Sequence, residues 1–358
     1  MTGHAGRSAV AGAGAEAGLR PVAISTIRER REVGMGKIYG AVSGSAGDAA
    51  MSVPQLAKLS SARGLGPRVH LANGNIRQYG PGAEASLGWT GLTLRVLLSY
   101  HYYQGEEIGD LVHKYFGGVA PDIFLDSGAY SASTKGAVIP LAEYIAYIER
   151  NREWLTTYAN LDVIGDHVAT LDNQRRMEDA GLSPLPVFHM GEPWSALEYY
   201  LERYQYIALG GMVRVPVPTL GRWLVRCFQA AGDAAVFHGF GITSWPLLKD
   251  FRWYSADSSS WGYGFRFGKV PIFDDQRGRI HRVRLGNAPD CYRQAHVIRA
   301  MGFDPADFAD RSRNDHDKIC AISAMCYMMA ERWLRRRWGD VEIPGKASPE
   351  APEEVARV

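Results

Sequence analysis

Between residues 67 and 261 the chain alternates short apolar runs with longer stretches in which apolar residues recur at helical spacing. The short runs predict buried strands, and the longer stretches predict amphipathic helices. The predicted strands are 68–71, 94–100, 122–125, 158–164, 185–188, 206–209, 235–237 and 253–255. The helices predicted between the later strands are 141–154, 166–180, 194–204, 220–231 and 245–251.

Strands that alternate with helices form parallel βαβ units, and right-handed crossovers close this many units into a (β/α)₈ barrel. A doubly wound sheet is the alternative, but no Gly-x-Gly-x-x-Gly segment opens a predicted helix. After Trp261 the alternation stops. Residues 269–273 and 280–285 flank a polar turn and predict a β-hairpin, and helices are predicted at about 289–301 and 314–338. The predicted fold class is therefore α/β, a TIM barrel with a β-hairpin and a C-terminal helical extension.

Changes in composition set the predicted domain boundaries. Residues 1–60 are rich in Gly, Ala and Ser without a period, and are predicted to be disordered or poorly ordered. Residues 61–288 are assigned to the barrel domain and residues 289–340 to the helical extension. Residues 341–358 contain Pro and Glu and are predicted to be a disordered tail.

The overall composition is that of an ordinary globular protein, with 46% hydrophobic and 22% charged residues among 358. The net charge of +2 argues against a generic polyanion binder, so any nucleic-acid contact must come from local patches. Four scattered cysteines indicate a reducing compartment rather than a disulfide framework. No apolar run is long enough to cross a bilayer and no signal-like core is seen, so we expect a cytoplasmic protein without a membrane partner.

Polar, acidic and glycine residues cluster where the predicted strands end. These residues are Asp126, Ser127, Gly128, Asp162, His189, Glu192, Gly210, Gly211, His238, Gly239 and Asp257. In a barrel, the carboxyl ends of all strands meet at the face that carries the chemistry. Each residue alone is also an ordinary turn or cap residue, but so many consecutive strand ends of this kind indicate one shared site. Two carboxylates in such a site allow one to act as a nucleophile while the other moves protons.

The residues around these carboxylates suit a flat heterocyclic ligand. Gly210, Gly211 and Gly239 leave room for close approach to the backbone. Asp162 is suited to accept hydrogen bonds from a base, and His189 to donate or to stack. Tyr130 is suited to cover one ring face, with packing in the barrel as the alternative.

The motifs resemble those of the queuine and archaeosine tRNA-guanine transglycosylases. The run 125–130, Leu-Asp-Ser-Gly-Ala-Tyr, resembles their Asp-Ser-Gly-Gly-Phe/Tyr motif, and 208–211 resembles their Gly-Gly-Leu segment. The run 238–241 resembles their His-x-x-Gly-x-Gly strand end, and Asp257 falls where they keep a nucleophilic aspartate. Runs 158–162, 186–189 and 257–261 are similar to the related group that inserts 7-deazaguanines into DNA, the deoxypurine-in-DNA protein A group. The resemblance covers roughly residues 67–285.

This resemblance implies a pentosyltransferase that exchanges guanine for a 7-deazaguanine, such as 7-cyano-7-deazaguanine, in phage or bacterial DNA. It implies Asp257 as the nucleophile of a covalent glycosyl-enzyme intermediate and Asp126 as the acid and base. The substrate-binding residues that it implies are Ser127, Gly128, Tyr130, Asp162, His189, Gly210, Gly211, His238 and Gly239. The implied partners are DNA, or alternatively tRNA, and the free 7-deazaguanine base, in a bacterial or phage-infected cell.

One motif of the tRNA enzymes is missing. They hold zinc with Cys-x-Cys-x-x-Cys and a later His, and no such cluster follows Asp257. Scattered donors exist, but Cys320 and Cys326 lie in an apolar helical stretch, where cysteine is usually a core residue. We therefore predict no metal and no cofactor, with a structural zinc as the alternative.

Basic residues interleaved with aromatic residues predict a phosphate-binding ribbon around the hairpin. They are Arg266, Lys269, Arg279 and Arg282, with a merely solvated hairpin as the alternative. Three other functions stay open: exchange in tRNA, a non-catalytic nucleic-acid-binding barrel, and a retaining glycoside hydrolase. The missing zinc motif and the run 257–261, Asp-Ser-Ser-Ser-Trp, favour DNA, and the two strand-end aspartates argue against a non-catalytic barrel.

Overall fold

The computed structural model describes residues 65–116 and 121–345. Its main sheet consists of β1 (Arg68–Ala72), β2 (Arg95–Ser99), β3 (Asp122–Asp126), β4 (Thr157–Tyr158), β5 (Val187–His189), β6 (Tyr206–Gly210), β7 (Val236–Gly239) and β8 (Ser255–Ser258). All pairings are parallel, in the order β4-β3-β2-β1-β8-β7-β6-β5. Ala159 forms a parallel bridge with Leu185, so the two ends of this row meet. The predicted α/β barrel is confirmed.

The helices lie between and after these strands. They are α1 (Ile76–Ser86), α2 (Tyr100–Tyr103), α3 (Ile108–Tyr115), α4 (Ala129–Thr134), α5 (Leu141–Asn151), α6 (His167–Asp179), α7 (Trp194–Leu201), α8 (Val217–Ala231), α9 (Trp245–Asp250), α10 (Tyr263–Phe267), α11 (Ala288–Arg293), α12 (Ala295–Ala300), α13 (Ala306–Ala309) and α14 (His316–Trp338). None of them, within the described ranges, combines the length and hydropathy needed to cross a bilayer.

Strand β3 illustrates how the sequence divides between the two faces of the barrel wall. Side chains of a strand alternate between faces, so Asp122, Phe124 and Asp126 share one face and Ile123 and Leu125 the other. Ile123 and Leu125 belong to the large core between strands and helices. Phe124 belongs to a second, smaller apolar cluster inside the barrel. The two aspartates therefore lie at opposite ends of the interior.

The small interior cluster separates two polar groups. It consists of Ala72, Leu97, Phe124, Ala159, Leu185, Val187 and Ala208. On one side is a group of ionisable residues, called here the lower cluster, which comprises Arg68, His70, Arg95 and Asp122 from β1–β3 and Glu331 from α14. On the other side is the barrel mouth, where the strands end. The apolar layer therefore fills the interior between the charges near the amino ends of the strands and the open mouth.

Contacts within the lower cluster join the last long helix to the first strands. Nε of Arg95 donates to Oε2 of Glu331 at 2.8 Å, and the same guanidinium donates to Asp122. The backbone N–H of Val69 donates to Oε2 of Glu331 at 2.8 Å. Burial raises the pKa of Asp122, but the charge of Arg95 and its neighbours outweighs burial and holds that pKa well below its usual range. Glu331 thus fixes α14 to β1 and β2.

The hairpin and the C-terminal helices are integrated with the barrel. Strands β9 (Lys269–Asp274) and β10 (Arg279–Arg284) pair antiparallel, as predicted. Helix α14 packs against α1, β1 and β9, where a (β/α)₈ barrel places the helix that follows its eighth strand. Val341 is buried and pairs with Gly66. Of the segments predicted to be disordered, 1–60 and 341–358, residues 1–60 and 346–358 lie outside the described residues, and residues 341–345 are described.

All eight strands differ from their predicted bounds by at least one residue, and β4 and β8 differ most. β4 ends at Tyr158 instead of continuing to residue 164, because Asn160 and Val163 bond to Thr170 of α6 at 2.8 and 2.9 Å. These side-chain contacts draw the chain out of the sheet and over the start of α6. β8 spans Ser255–Ser258 instead of 253–255, since Ser255 pairs with Arg68 and Asp257 with His70. Asp257 therefore lies within its strand, not beyond it.

Candidate active site

Asp257 lies on the interior face of β8, near the mouth. Its Oδ1 accepts a hydrogen bond from the backbone N–H of Gly241 at 2.8 Å. Gly241 follows β7 with a φ of 65°, a conformation that favours glycine. Nε2 of His238 lies 3.5 Å from the same oxygen. Both donors face Oδ1, and Oδ2 bonds to none of the residues that the structure describes.

Asp126 is the last residue of β3 and is partly buried. Its Oδ2 accepts the N–H of Gly128 at 3.1 Å. Gly128 has a φ of 76°, and a Cβ there would lie 2.3 Å from Oγ of Ser99, so only glycine fits. Burial, together with the charges of Asp162 and Asp257, raises the pKa of Asp126 to about 8. At neutral pH its carboxyl group is therefore mainly protonated and can donate a proton.

A second group of ionisable residues crosses the mouth from β4 to β5. Nε2 of His189 lies 2.9 Å from Oδ2 of Asp162, and Nδ1 lies 2.9 Å from Oε1 of Glu192. Oγ of Ser127 donates to Oδ1 of Asp162 at 3.1 Å. Burial lowers the pKa of His189, but the hydrogen bonds to Asp162 and Glu192 outweigh burial and raise it to about 9. His189 is thus a cation held between two carboxylates.

The glycines at the mouth are required by neighbouring protein atoms. A Cβ on Gly210 would lie 2.8 Å from Cδ2 of His189. Gly211 has a φ of 72°, and a Cβ there would lie 2.9 Å from the backbone nitrogen of Met190. A Cβ on Gly239 would lie 2.7 Å from the side chain of Ile242 and 2.8 Å from that of Trp253. Their identity therefore follows from packing, and contact with a ligand remains a prediction that best suits the exposed Gly211.

His238 and Tyr130 occupy very different environments. His238 is fully buried behind Asp257, stacked on Phe124 at 4.5 Å and edge-on to Phe240 at 4.6 Å between ring centroids. Its contact is with the Asp257 carboxylate rather than with the open mouth. Tyr130, on α4, leaves 47% of its surface exposed and is free to meet a ligand.

Sequence reasoning assigned no role to several residues that the structure places in the site. Glu192 was noted at its strand end without a role. The only sequence signal for its contact with His189 is that the two residues are three positions apart. Ser255 lies two residues before Asp257 and therefore shares its face. Tyr206 bonds to Ser255 from β6, which only the folded barrel brings near.

The four predicted nucleic-acid cations are all exposed, Arg266 on α10 and the other three on the hairpin strands. Arg266 reaches the mouth, where its guanidinium donates to the carbonyl of Asn73 after β1. Lys269 and Arg282 lie along the hairpin, and Arg279 lies at its turn end. Within the part of the chain that the structure describes, none of the four has a carboxylate within 4.0 Å, the limit for a salt bridge.

No described group of three His, Cys, Asp or Glu residues is arranged to hold a metal ion. Sγ of Cys320 lies 3.5 Å from Nε2 of His316, but no further ligand joins them in the described ranges. Burial raises the pKa of Cys291 to about 11 and that of Cys320 to about 12, which disfavours the thiolate that zinc requires. The absence of zinc stays an expectation.

Replacing Asp126 with Asn is expected to stabilise the protein at alkaline pH. A carboxyl group whose pKa rises to about 8 on folding makes the folded state bind more protons than the unfolded state between the two pKa values. Stability therefore falls as pH rises from about 4 toward 8, and Asn, which cannot ionise, avoids that loss. Thermal unfolding should give a higher Tm for the variant at pH 9, by about 2–4 °C for each kcal/mol recovered.

The control is Asp166→Asn, at the exposed N-cap of α6, where Asn also caps well. Its Tm should follow that of the wild-type protein across the pH range. Parallel curves for Asp126→Asn and the wild-type protein would show that Asp126 does not carry a raised pKa.

Comparison with known proteins leaves the family open. No family model matches the chain, and no curated protein matches it. The carboxyl transferase domain of Rhizobium etli pyruvate carboxylase with pyruvate is similar at 12% identity and a TM-score of 0.36, over 81% of this chain and 54% of that one. The same domain with pyruvate and biocytin is similar at 13% identity and a TM-score of 0.36, over 88% and 55%. The chain spans about half the length of these structures, and likeness at this level carries no statement about activity.

Proposed function

We propose that this chain is a DNA guanine transglycosylase that exchanges guanine for a 7-deazaguanine through a covalent intermediate on Asp257. The observation that carries the proposal is the unequal environment of two aspartates at one barrel mouth. Burial and neighbouring charges raise the pKa of Asp126 to about 8 and make it an acid. The N–H of Gly241 and Nε2 of His238 face one oxygen of Asp257 and leave the other oxygen toward the mouth.

The proposed reaction uses these two roles in turn. An oxygen of Asp257 attacks C1′ of the nucleotide, the C1′–N9 bond breaks, and its electron pair stays with the departing guanine, which takes the proton of Asp126. The incoming 7-deazaguanine then attacks C1′ through N9 and gives its N9 proton to the Asp126 carboxylate, while the bond from C1′ to Asp257 breaks. Atoms and charge balance, and both aspartates return to their starting states.

Base recognition is assigned to the group around Asp162. The His189 cation is already bound to Asp162 and Glu192, so it holds the Asp162 carboxylate in place rather than reaching a ligand. Asp162 keeps free lone pairs that suit the N–H donors of a guanine edge. The exposed ring of Tyr130 suits stacking on the flat base.

Contacts with the polynucleotide are assigned to exposed rings and to cations that have no carboxylate partner among the described residues. Arg266 lies at the mouth beside β1, and Lys269 and Arg282 extend from it along the hairpin. On the side of Asp126, Nζ of Lys135 lies 4.8 Å from the centre of the Tyr102 ring, which is 53% exposed. Cations beside exposed rings suit a strand whose target nucleotide is unstacked. DNA is favoured over tRNA because the zinc motif of the tRNA enzymes is missing.

The test is direct incorporation of a labelled base. The protein is incubated with labelled guanine or 7-cyano-7-deazaguanine and with mixed-sequence double-stranded DNA, single-stranded DNA or tRNA, and the polymers are digested to nucleosides. We expect label in DNA nucleosides. Label confined to tRNA would show that the substrate is tRNA, and label in no polymer would contradict base exchange.

The exchange rate should depend on the protonation of Asp126. Because the protonated carboxyl is the acid, kcat/KM is expected to fall as pH rises through about 8. Asp126→Asn should slow exchange by at least ~10²-fold and remove this pH dependence. Initial rates of label incorporation between pH 6 and pH 10 measure both effects, with Asp166→Asn as the control. Near-normal kinetics in Asp126→Asn would assign the proton transfer to another residue.

A further inference from the structure

A chain of hydrogen-bonding groups runs through the barrel interior to Asp257. The hydroxyl of Tyr206 lies 2.6 Å from Oγ of Ser255, which lies 2.6 Å from Nδ1 of His238. Nε2 of His238 lies 3.5 Å from Oδ1 of Asp257 and has no closer partner among the described residues. All of these groups except Tyr206, which is partly buried, are at most 5% exposed. Polar groups this buried are costly unless they interact with one another.

The chain has a definite direction. Burial lowers the pKa of His238, so the ring is neutral and carries one N–H. Either hydroxyl can be the donor in these contacts, but a proton on Nδ1 would set the lone pair of Nε2 against Oδ1 of Asp257. The favoured arrangement therefore has Tyr206 donating to Ser255 and Ser255 donating to Nδ1, which leaves the histidine proton on Nε2, facing Oδ1. At 3.5 Å this contact is longer than an ordinary hydrogen bond, but in a dry interior the N–H dipole still attracts the carboxylate.

We propose that His238, with its tautomer set by Ser255 and Tyr206, is a positioning residue that holds Oδ1 of Asp257 and leaves Oδ2 as the attacking oxygen. This inference rests on the proposed function, in which Asp257 is the nucleophile. Gly241 binds Oδ1 from the loop after β7 and His238 approaches it from the strand itself, so the carboxylate is fixed from two directions. The backbone N–H and the imidazole then prevent rotation that would exchange the two oxygens.

Two substitutions of His238 separate positioning from simple packing. Gln places an amide N–H near the position of Nε2 and can still approach Asp257, whereas Asn reaches only the position of Nδ1 and cannot. His238→Asn is expected to slow formation of the covalent DNA adduct by about 10²-fold at saturating DNA, with KM unchanged. His238→Gln should restore most of that rate.

Ser255→Ala provides an independent variant. It keeps the ring of His238 but removes the donor to Nδ1, so the tautomer is no longer fixed and the adduct rate should fall about tenfold. The matched control is Ser86→Ala, which removes another buried serine hydroxyl, one that lies on α1 and donates to the carbonyl of Ala83 at 2.7 Å. It should lower Tm slightly without changing the adduct rate.

The measurement is the rate of a denaturation-stable protein–DNA adduct, with KM for DNA determined in parallel. Adduct formation by His238→Asn at the wild-type rate would overturn the positioning role while leaving the proposed function intact. A change in KM alone would also overturn it, because positioning acts on the reacting complex. A wild-type protein that forms no adduct would overturn the proposed function, and this inference with it.

Discussion

Asp257→Ala is expected to reduce base exchange by at least ~10³-fold and to abolish the covalent DNA adduct, because it removes the attacking atom itself. The neighbouring carboxyl groups are poorly suited to replace Asp257 as the nucleophile. Asp162 and Glu192 are both engaged by the His189 cation, and Asp126 is mainly protonated at neutral pH. Alanine leaves the N–H of Gly241 without its acceptor, but no buried positive charge loses a partner.

The matched control is Asp166→Ala, which removes a carboxylate from the same end of the barrel. Asp166 is exposed and caps α6 by accepting the N–H groups of Val168 and Ala169 at 3.1 and 3.0 Å. Its loss should cost about 1 kcal/mol of stability and leave exchange unchanged. Incorporation of labelled 7-deazaguanine and adduct formation are measured for both variants. Exchange by Asp257→Ala at near the wild-type rate would refute the nucleophile assignment.

Glu331→Ala is expected to lower the free energy of unfolding by about 3–5 kcal/mol, the usual cost of removing one partner from a buried ion pair. Glu331 is 6% exposed and accepts from Arg95 and from the backbone N–H of Val69, each at 2.8 Å. In addition, Nε of Arg335 lies 3.6 Å from Oε1, the other oxygen of the Glu331 carboxylate. Without the carboxylate, the buried guanidinium of Arg95 and the N–H of Val69 lose this acceptor, and Arg335 loses a nearby opposite charge.

Denaturant unfolding of three variants tests this expectation. Glu331→Gln keeps an acceptor and the volume of the side chain but not the charge, so its loss should be smaller than that of alanine. Glu198→Ala removes an exposed carboxylate from α7 and should change stability by no more than about 0.5 kcal/mol. If Glu331→Ala were as stable as Glu198→Ala, the lower cluster would not hold the barrel together.

Hydrophobic periodicity was sufficient to predict the elements whose apolar pattern lies within a short stretch of sequence. The hairpin and the strands β3 and β6 follow from apolar runs bounded by turns, and the structure confirms them. Helix α1 was missed because Gly80, Pro81 and Gly82 are typical of a turn. The helix forms there because these glycines permit close packing: a Cβ on Gly80 would meet the carbonyl of Tyr115, and one on Gly82 would meet Cβ of Ala324. The partner on α14 lies far along the chain, where no local pattern indicates it.

The candidate site shows the same difference between local patterns, which the sequence reveals, and contacts between distant segments, which it does not. The order of strand ends was enough to bring Asp126, Asp162 and His189 to one mouth, as their mutual contacts and charges now indicate. Sequence could not supply the register of β8, which moves Asp257 into the strand and sets Ser255 beneath it. Nor could the sequence show why glycine occupies positions 210, 211 and 239, because close packing and close approach of a ligand would both require glycine there.

The contact between Glu331 and Val69 spans 262 residues of chain. A ribosome makes β1 and β2 long before α14, so their arginines and free N–H groups have no carboxylate from α14 until the helix has been made. The contacts that anchor the last long helix to the first strands are therefore completed late in synthesis. A nascent chain stalled before Glu331 would carry every aspartate of the site but lack the residue that closes the first strands against the last helix.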